Sequence, residues 1–190
     1  LTSMAETFIE SHASKKQPFL LYVPLTAMHY PSEPSRAWQG KSGSGMYADM
    51  LMQTDSYVGR IHSAIEKAGI ADNTLFIFTA DNGPEDICIR NASHSGVGSP
   101  GPFRGRKRSL YEGGVRTPFI MRWPAGGART GVVDNLTPLS GVDLMPTFCR
   151  LGGVDRLPEA VDGEDMTDVF HGLQRPRTRP LMWEWRFRIV

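Results

Sequence analysis

Thr74-Leu75-Phe76-Ile77-Phe78-Thr79-Ala80-Asp81-Asn82-Gly83 is the stretch whose reading decides the fold. Its first residues are rich in β-branched and aromatic side chains with almost no polar alternation, the pattern of a central strand of a parallel sheet, buried on both faces. The strand runs out on two oxygen-bearing side chains. In open α/β sheets ligands collect beyond the carboxyl ends of strands, so Asp81 and Asn82 stand where a site is expected, and Gly83 lets the chain turn away. A carboxylate beside an amide carbonyl suits a hard cation such as Ca²⁺ or Mg²⁺. Asp-Asn-Gly is equally ordinary turn chemistry, and the tripeptide alone does not choose between the two.

The rest of the chain must carry that choice. Its 190 residues, 40% hydrophobic and 22% charged, are enough for one domain with a real core. A net charge of +1 gives no general pull toward nucleic acid or an anionic membrane, so any affinity for anions must come from a local cluster. No apolar run approaches the length of a membrane span. Cys88 and Cys149 are far apart and lack metal-ligand spacing, which argues against a disulfide framework or a zinc site. Asn91-Ala92-Ser93 and Asn135-Leu136-Thr137 fit the glycosylation sequon. The sequence opens at Leu1, without an initiator methionine and in the middle of a helical pattern, and reads as a piece cut at both ends.

Working outward, residues 46–68 place Tyr47, Met50, Leu51, Thr54, Val58, Ile61, Ile65 and Ala68 at steps of three and four, an amphipathic helix with Gly69 as its stop. Before it, Phe19-Leu20-Leu21-Tyr22-Val23 is a second continuous apolar run between Pro18 and Pro24, read as another buried strand. Strand, helix and strand would make a βαβ unit with a right-handed crossover. The earlier strand leads into His29-Tyr30-Pro31, which puts His29 on the same kind of edge as Asp81. A lone histidine is more often a structural residue than a catalyst; this one gains from its place. Residues 4–12 have helical spacing as well.

Beyond Gly83 the chain is rich in Gly, Ser and Pro up to about residue 108, an irregular loop of functional length. It delivers Arg104-Gly105-Arg106-Lys107-Arg108 and then Tyr111-Glu112-Gly113-Gly114-Val115-Arg116-Thr117-Pro118. A basic run is usually a solvated surface. Here glycines on both sides permit close backbone approach, and a lysine among arginines can fix an anionic group through charge-assisted hydrogen bonds. Phe119-Ile120-Met121-Arg122-Trp123 reads as a shorter strand, residues 140–151 as a helix capped by Ser140 and stopped by Gly152-Gly153, residues 166–170 as a helical turn, and Leu181-Met182-Trp183-Glu184-Trp185 as the start of a further strand.

Taken together, Asp81-Asn82-Gly83-Pro84-Glu85, Gly105-Arg106-Lys107 with Glu112-Gly113-Gly114-Val115-Arg116-Thr117-Pro118, and the earlier His29-Tyr30-Pro31 resemble the later part of the sulfatase catalytic domain. The helix with Tyr47, Asp49, Asp55 and Gly59, the segment Asp143-Leu144-Met145-Pro146-Thr147, and Asp162-Gly163 are similar too, so the likeness runs from about Pro18 to Trp185. The resemblance implies an α/β fold of the alkaline-phosphatase-like sandwich type, with a mostly parallel central sheet flanked by helices and here truncated at both ends. Residues 1–180 would be the C-terminal half of the catalytic domain and residues 181–190 the start of a C-terminal subdomain.

The same resemblance implies hydrolysis of sulfate esters, with a small-molecule or carbohydrate sulfate as substrate. A divalent cation, calcium by family habit and magnesium as the alternative, would be held by Asp81 and Asn82 together with two acidic residues from a strand N-terminal to this chain. Lys107 and His29 would contact the sulfate as binding and catalytic residues. His29 would either donate to a sulfate oxygen or protonate the departing alcohol. The nucleophile, a formylglycine made from a Cys or Ser, would also lie upstream. Ser32-Glu33-Pro34-Ser35-Arg36 imitates the opening of that signature but lacks its Thr-Gly-Arg continuation and reads as loop. The chain alone is therefore expected to be inactive and to bind metal weakly. The rival readings are a phosphate-ester hydrolase of the same superfamily and a catalytically dead binding module. Export or a lysosomal location is the family's expectation.

Overall fold

The computed structural model describes residues 1–15, 17–86, 98–154, 156–157, 160–186 and 188–189. Residues 87–97, with Cys88 and the Asn91 sequon, lie outside the described residues. The chain divides into two compact units: Leu1–Ala71 with Asn82–Pro118, and Asp72–Asp81 with Phe119–Val190.

The first unit is built on two packed helices, α1 at Thr2–Ala13 and α2 at Met46–Lys67. Each buries the stripe its periodicity marks out: Ala5 and Ile9 on α1, Ile61, Ala64 and Ile65 on α2. Arg60 reaches across to Glu6, its Nε donating at 2.9 Å. α2 ends as its sequence demands. Gly69 takes φ +71°, its N–H donates to the Glu66 carbonyl at 2.9 Å, and the Ile70 N–H donates to Ile65 at 3.3 Å, the double bond pattern that closes a helix through a left-handed glycine.

The polar residues on the buried side of α2 hold the loop in front of it. Asp49, 2% exposed, accepts from the backbone N–H groups of Gly40 and Ser42 and from the Ser42 hydroxyl, at 2.8, 2.7 and 2.7 Å. The Ser42 N–H and hydroxyl pull its carboxyl below the ordinary value. Gln53 accepts from the N–H of Ser35 at 2.8 Å, which fixes Ser32–Arg36 as irregular chain, in line with its turn-forming composition. Leu51, counted on the apolar face, is 51% exposed.

The second unit contains β1 at Phe76–Thr79 and β2 at Phe119–Arg122, paired antiparallel with Ile77 opposite Met121 and Thr79 opposite Phe119. Behind the pair lie α4 at Gly141–Leu151 and α5 at Thr167–Phe170; the short α3 at Glu112–Val115 belongs to the first unit. Met166, Val169 and Phe170 form the buried centre, packed on by Leu75, Ile77, Phe119, Met121, Trp123, Leu144, Phe148 and Leu151. Ser140 caps α4, its N–H meeting the Asp143 carboxylate at 2.8 Å, and Gly153 at φ +77° closes it. A two-stranded ribbon, β3 at Glu184–Trp185 and β4 at Arg188–Ile189, completes the unit.

Two expectations need correction. β1 is not buried on both faces: Ile77, Met121 and Phe119 face the core, while Phe78 and Ile120, paired on the other side, are 37% and 60% exposed. Its hydrogen-bonded partner, β2, is also antiparallel to it. The stretch 19–23 is extended without a ladder. Leu20 and Tyr22 are 71% and 82% exposed, whereas Phe19 packs edge-on against Phe8 with ring centroids 5.4 Å apart. The predicted βαβ unit is thus not formed as a paired sheet among the described residues.

Candidate functional site

Asp81 lies two residues past β1, exposed, and the chain passes into the first unit between it and Asn82. From Gly83 onward, backbone hydrogen bonds build the site. The Gly83 N–H donates to the Gly114 carbonyl at 2.9 Å, the Lys107 N–H to the Pro84 carbonyl at 2.9 Å, and the Gly113 N–H to the Arg104 carbonyl at 2.8 Å. The loop after Asn82, the basic finger 104–108 and α3 are thereby stitched into one piece.

Glycine is required where these segments approach most closely. A Cβ on Gly83 would stand 1.9 Å from the Gly113 carbonyl oxygen, and one on Gly114 would stand 2.2 Å from that of Ser109. Gly113 and Gly114 thus serve as scaffold for the lysine loop. Arg116 closes the end of α3, 3.1 Å from Glu112 and stacked over Phe103 at 4.8 Å.

The finger is held from below by the residues just after Asn82. Arg106 donates to the carbonyls of Glu85 and Gly98 at 3.2 and 3.0 Å. Arg108, in the left-handed region at φ +66°, binds the carboxylates of Glu85 and Asp86. Those bonds, Glu85 first, hold its guanidinium still more firmly protonated. Lys107 sits between them, 22% exposed, its Nζ 3.8 Å from Glu85 Oε2. Glu85, visible in the sequence only as part of a motif, is the group that sequence reasoning missed. Its signal was a single acidic pair placed where a run of four cations needs a counter-charge. Tyr47 of α2 packs against Gly98 on the far side; burial raises its phenol against the pull of the Arg106 charge.

His29 is exposed in a tight turn, with Met28 at φ +76° before it and a cis Tyr30–Pro31 bond after it. Its Nδ1 lies 2.8 Å from the Tyr30 carbonyl oxygen. A carbonyl only accepts, so Nδ1 carries the proton and Nε2 is left to exchange one. Among the described residues no hydrogen bond or ion pair joins His29 to Asn82 or Lys107. Asn82 and Lys107 are brought together through the Pro84 carbonyl; His29 is placed separately.

The donor chemistry of Asp81 and Asn82, a carboxylate and an amide carbonyl, fits a hard divalent cation, which takes six to eight oxygens. The pair would make only part of a ligand set. Among the described residues no group of three or more His, Cys, Asp or Glu side chains is arranged to hold a metal. The described residues also include no helix long and apolar enough to cross a membrane.

Comparison with known proteins shows the family. A family model described as Sulfatase matches residues 1–154. The chain is 37% identical to human arylsulfatase A over 156 residues, 82% of this chain and 29% of that protein. It is 39% identical to an N-acetylgalactosamine-6-O-sulfatase of Bacteroides thetaiotaomicron over 132 residues, 66% of this chain and 25% of that one. Among solved structures, the PsFucS1 sulfatase from Pseudoalteromonas sp. superposes with a TM-score of 0.80 at 30% identity, covering 92% of this chain and 34% of that one. The chain thus spans about a quarter to a third of the length of the curated relatives it matches.

Proposed function

This chain belongs to the sulfatase family and carries part of its alkaline-phosphatase-like α/β fold, and from that premise we propose that it forms the later half of the catalytic domain of an enzyme hydrolysing sulfate monoesters. The observation that carries this is the Lys107 N–H bond to the Pro84 carbonyl, which moors a cationic side chain two residues past Asn82. Residues 1–180 would belong to the catalytic domain and residues 181–190 would open a further subdomain.

Each residue has a role its chemistry supports. Asp81 and Asn82 would supply two oxygens to the cation, calcium by preference with magnesium as the alternative; bound there, the ion would polarise a sulfate oxygen and offset its charge. Lys107 would hold the sulfo group with a point charge on a flexible stem, strengthening as negative charge redistributes in the transition state. His29, with Nδ1 committed to the Tyr30 carbonyl, would present Nε2 to a sulfate oxygen or to the departing alcohol. No described residue fits the family's formylglycine: the one look-alike, Ser32–Arg36, is loop pinned by Gln53. Carbohydrate sulfates and small aromatic sulfates are the substrate classes.

The test is turnover by the full-length protein of 4-nitrophenyl sulfate against 4-nitrophenyl phosphate. Preference for the sulfate, abolished by Lys107→Ala, supports the reading; preference for the phosphate, or no turnover of either, overturns it. The 190-residue chain alone should turn over neither.

A further inference from the structure

Lys107 does not stand alone in its loop. Its ammonium lies 3.8 Å from Oε2 of Glu85, inside ion-pair range and outside hydrogen-bond reach. Among the described residues no hydrogen bond takes up any of its three N–H groups. The Glu85 side chain is 11% exposed and is fixed independently of the lysine: Oε1 accepts from the Asp86 N–H at 2.9 Å and from the Arg108 guanidinium. Arg108 in turn grips Asp86 and keeps a left-handed backbone that an ordinary residue holds only when its surroundings impose it. The carboxylate is thus anchored by one cation and directed at the other.

A flexible stem with a compact charge, such as that of Lys107, samples many positions unless something draws it to one. A direct hydrogen bond to Glu85 would restrain it but would occupy donors an incoming anion needs. A carboxylate held at 3.8 Å restrains it by charge alone and leaves the donors open. We infer that Glu85, locked by Arg108, is a positioning residue that pre-aims Lys107 at the anion it binds. This deepens the sulfatase reading and rests on it.

The experiment uses the full-length protein with 4-nitrophenyl sulfate as probe, and three versions: wild type, Glu85→Gln, which keeps shape and acceptor oxygen but loses charge, and Glu85→Asp, which keeps charge on a shorter stem. A second readout needs no turnover: the rate at which N-hydroxysuccinimidyl acetate acylates Lys107, measured by mass spectrometry against Lys15 and Lys41 as exposed references. Glu85→Gln is expected to lower kcat about 10- to 100-fold with KM changed less than about threefold, because the lysine is misplaced rather than removed. In Glu85→Gln the acylation rate of Lys107 relative to Lys15 and Lys41 should also change several-fold, the amine having left the position at which the carboxylate held it. Glu85→Asp should recover most of both effects.

Wild-type kcat and wild-type Lys107 acylation in Glu85→Gln overturn the inference. So does a fall in kcat without any change in Lys107 acylation, which would make Glu85 a strap for the loop only. If the wild-type protein turns over no sulfate ester, the sulfatase reading fails, and the acylation arm alone decides whether Glu85 controls Lys107. Should Glu85→Gln fail to fold, Glu85→Asp carries the same comparison: an unchanged Lys107 acylation rate there, with a large loss of kcat, overturns it.

Discussion

The backbone N–H of Lys107 donates to the carbonyl of Pro84 at 2.9 Å, so this residue is fastened to the loop after Asn82 through its main chain. The side chain is left free for chemistry. Its surroundings, the carbonyls and carboxylates of residues 84–86, hold the finger down.

Lys107→Ala should therefore separate function from stability. With the mooring bond intact, the melting temperature of the full-length protein should move by no more than about 2 °C, the scale of a surface substitution. Turnover of an aryl sulfate should fall about 10²- to 10³-fold, the usual loss when one preorganised donor to a developing negative charge is removed. Parallel melts and initial rates check this; a stability loss that tracks the rate loss would place the lysine in the scaffold.

Gly114→Ala should do the opposite first. Its new Cβ would meet the carbonyl oxygens of Ser109 and Arg106 at 2.2 and 2.5 Å, main-chain atoms that cannot swing aside. Overpacking of this kind costs about 1–3 kcal/mol, so the denaturation midpoint should drop and the finger should shift with it. The unfolding midpoint in urea, with the slope unchanged, is the measurement.

Acid should weaken the second unit through Glu164. Burial alone would raise this carboxyl, but the Arg179 N–H, the Thr178 hydroxyl, the Arg175 guanidinium and the Arg177 charge outweigh it and hold the group at about 2, against an ordinary 4.5. A depressed folded-state value contributes stability that is fully present above 4.5 and is lost as pH falls toward 2. The loss should reach roughly 2–3 kcal/mol, given one unit per about 1.4 kcal/mol and some relaxation. Thermal melts from about pH 6 to about pH 2, wild type against Glu164→Gln, should converge at the acid end.

Arg177→Met should be among the most damaging changes in that unit. Arg177 is 6% exposed and pairs with Asp143, 2% exposed, while its Nε lies 3.6 Å from Glu164 Oε1. Removing it leaves the buried Asp143 carboxylate without its cation and Glu164 with Arg175 alone, and breaking such a buried pair typically costs about 3–5 kcal/mol. Adding Asp143→Asn should restore part of that, since most of the cost is the unpaired charge. Chemical denaturation of the single and double variants measures the recovery.

The local code of this sequence was sufficient for its local structure. Steps of three and four gave α2 to within a residue of Met46–Lys67, Gly69 and Gly153 closed their helices in the left-handed conformation, and the apolar run placed β1 at Phe76–Thr79, because helix, cap and strand periods are properties of neighbouring residues. The glycine-flanked basic finger was legible for the same reason. Tertiary structure alone decided what each element meets: that β1 pairs antiparallel with Phe119–Arg122 and leaves Phe78 and Ile120 exposed, that Asp143 finds Arg177 across 34 positions, and that Glu85 stands beneath Lys107 from the other end of the long loop. Such pairings depend on which distant segments the fold brings within a few ångströms, and no periodicity along the chain encodes that distance.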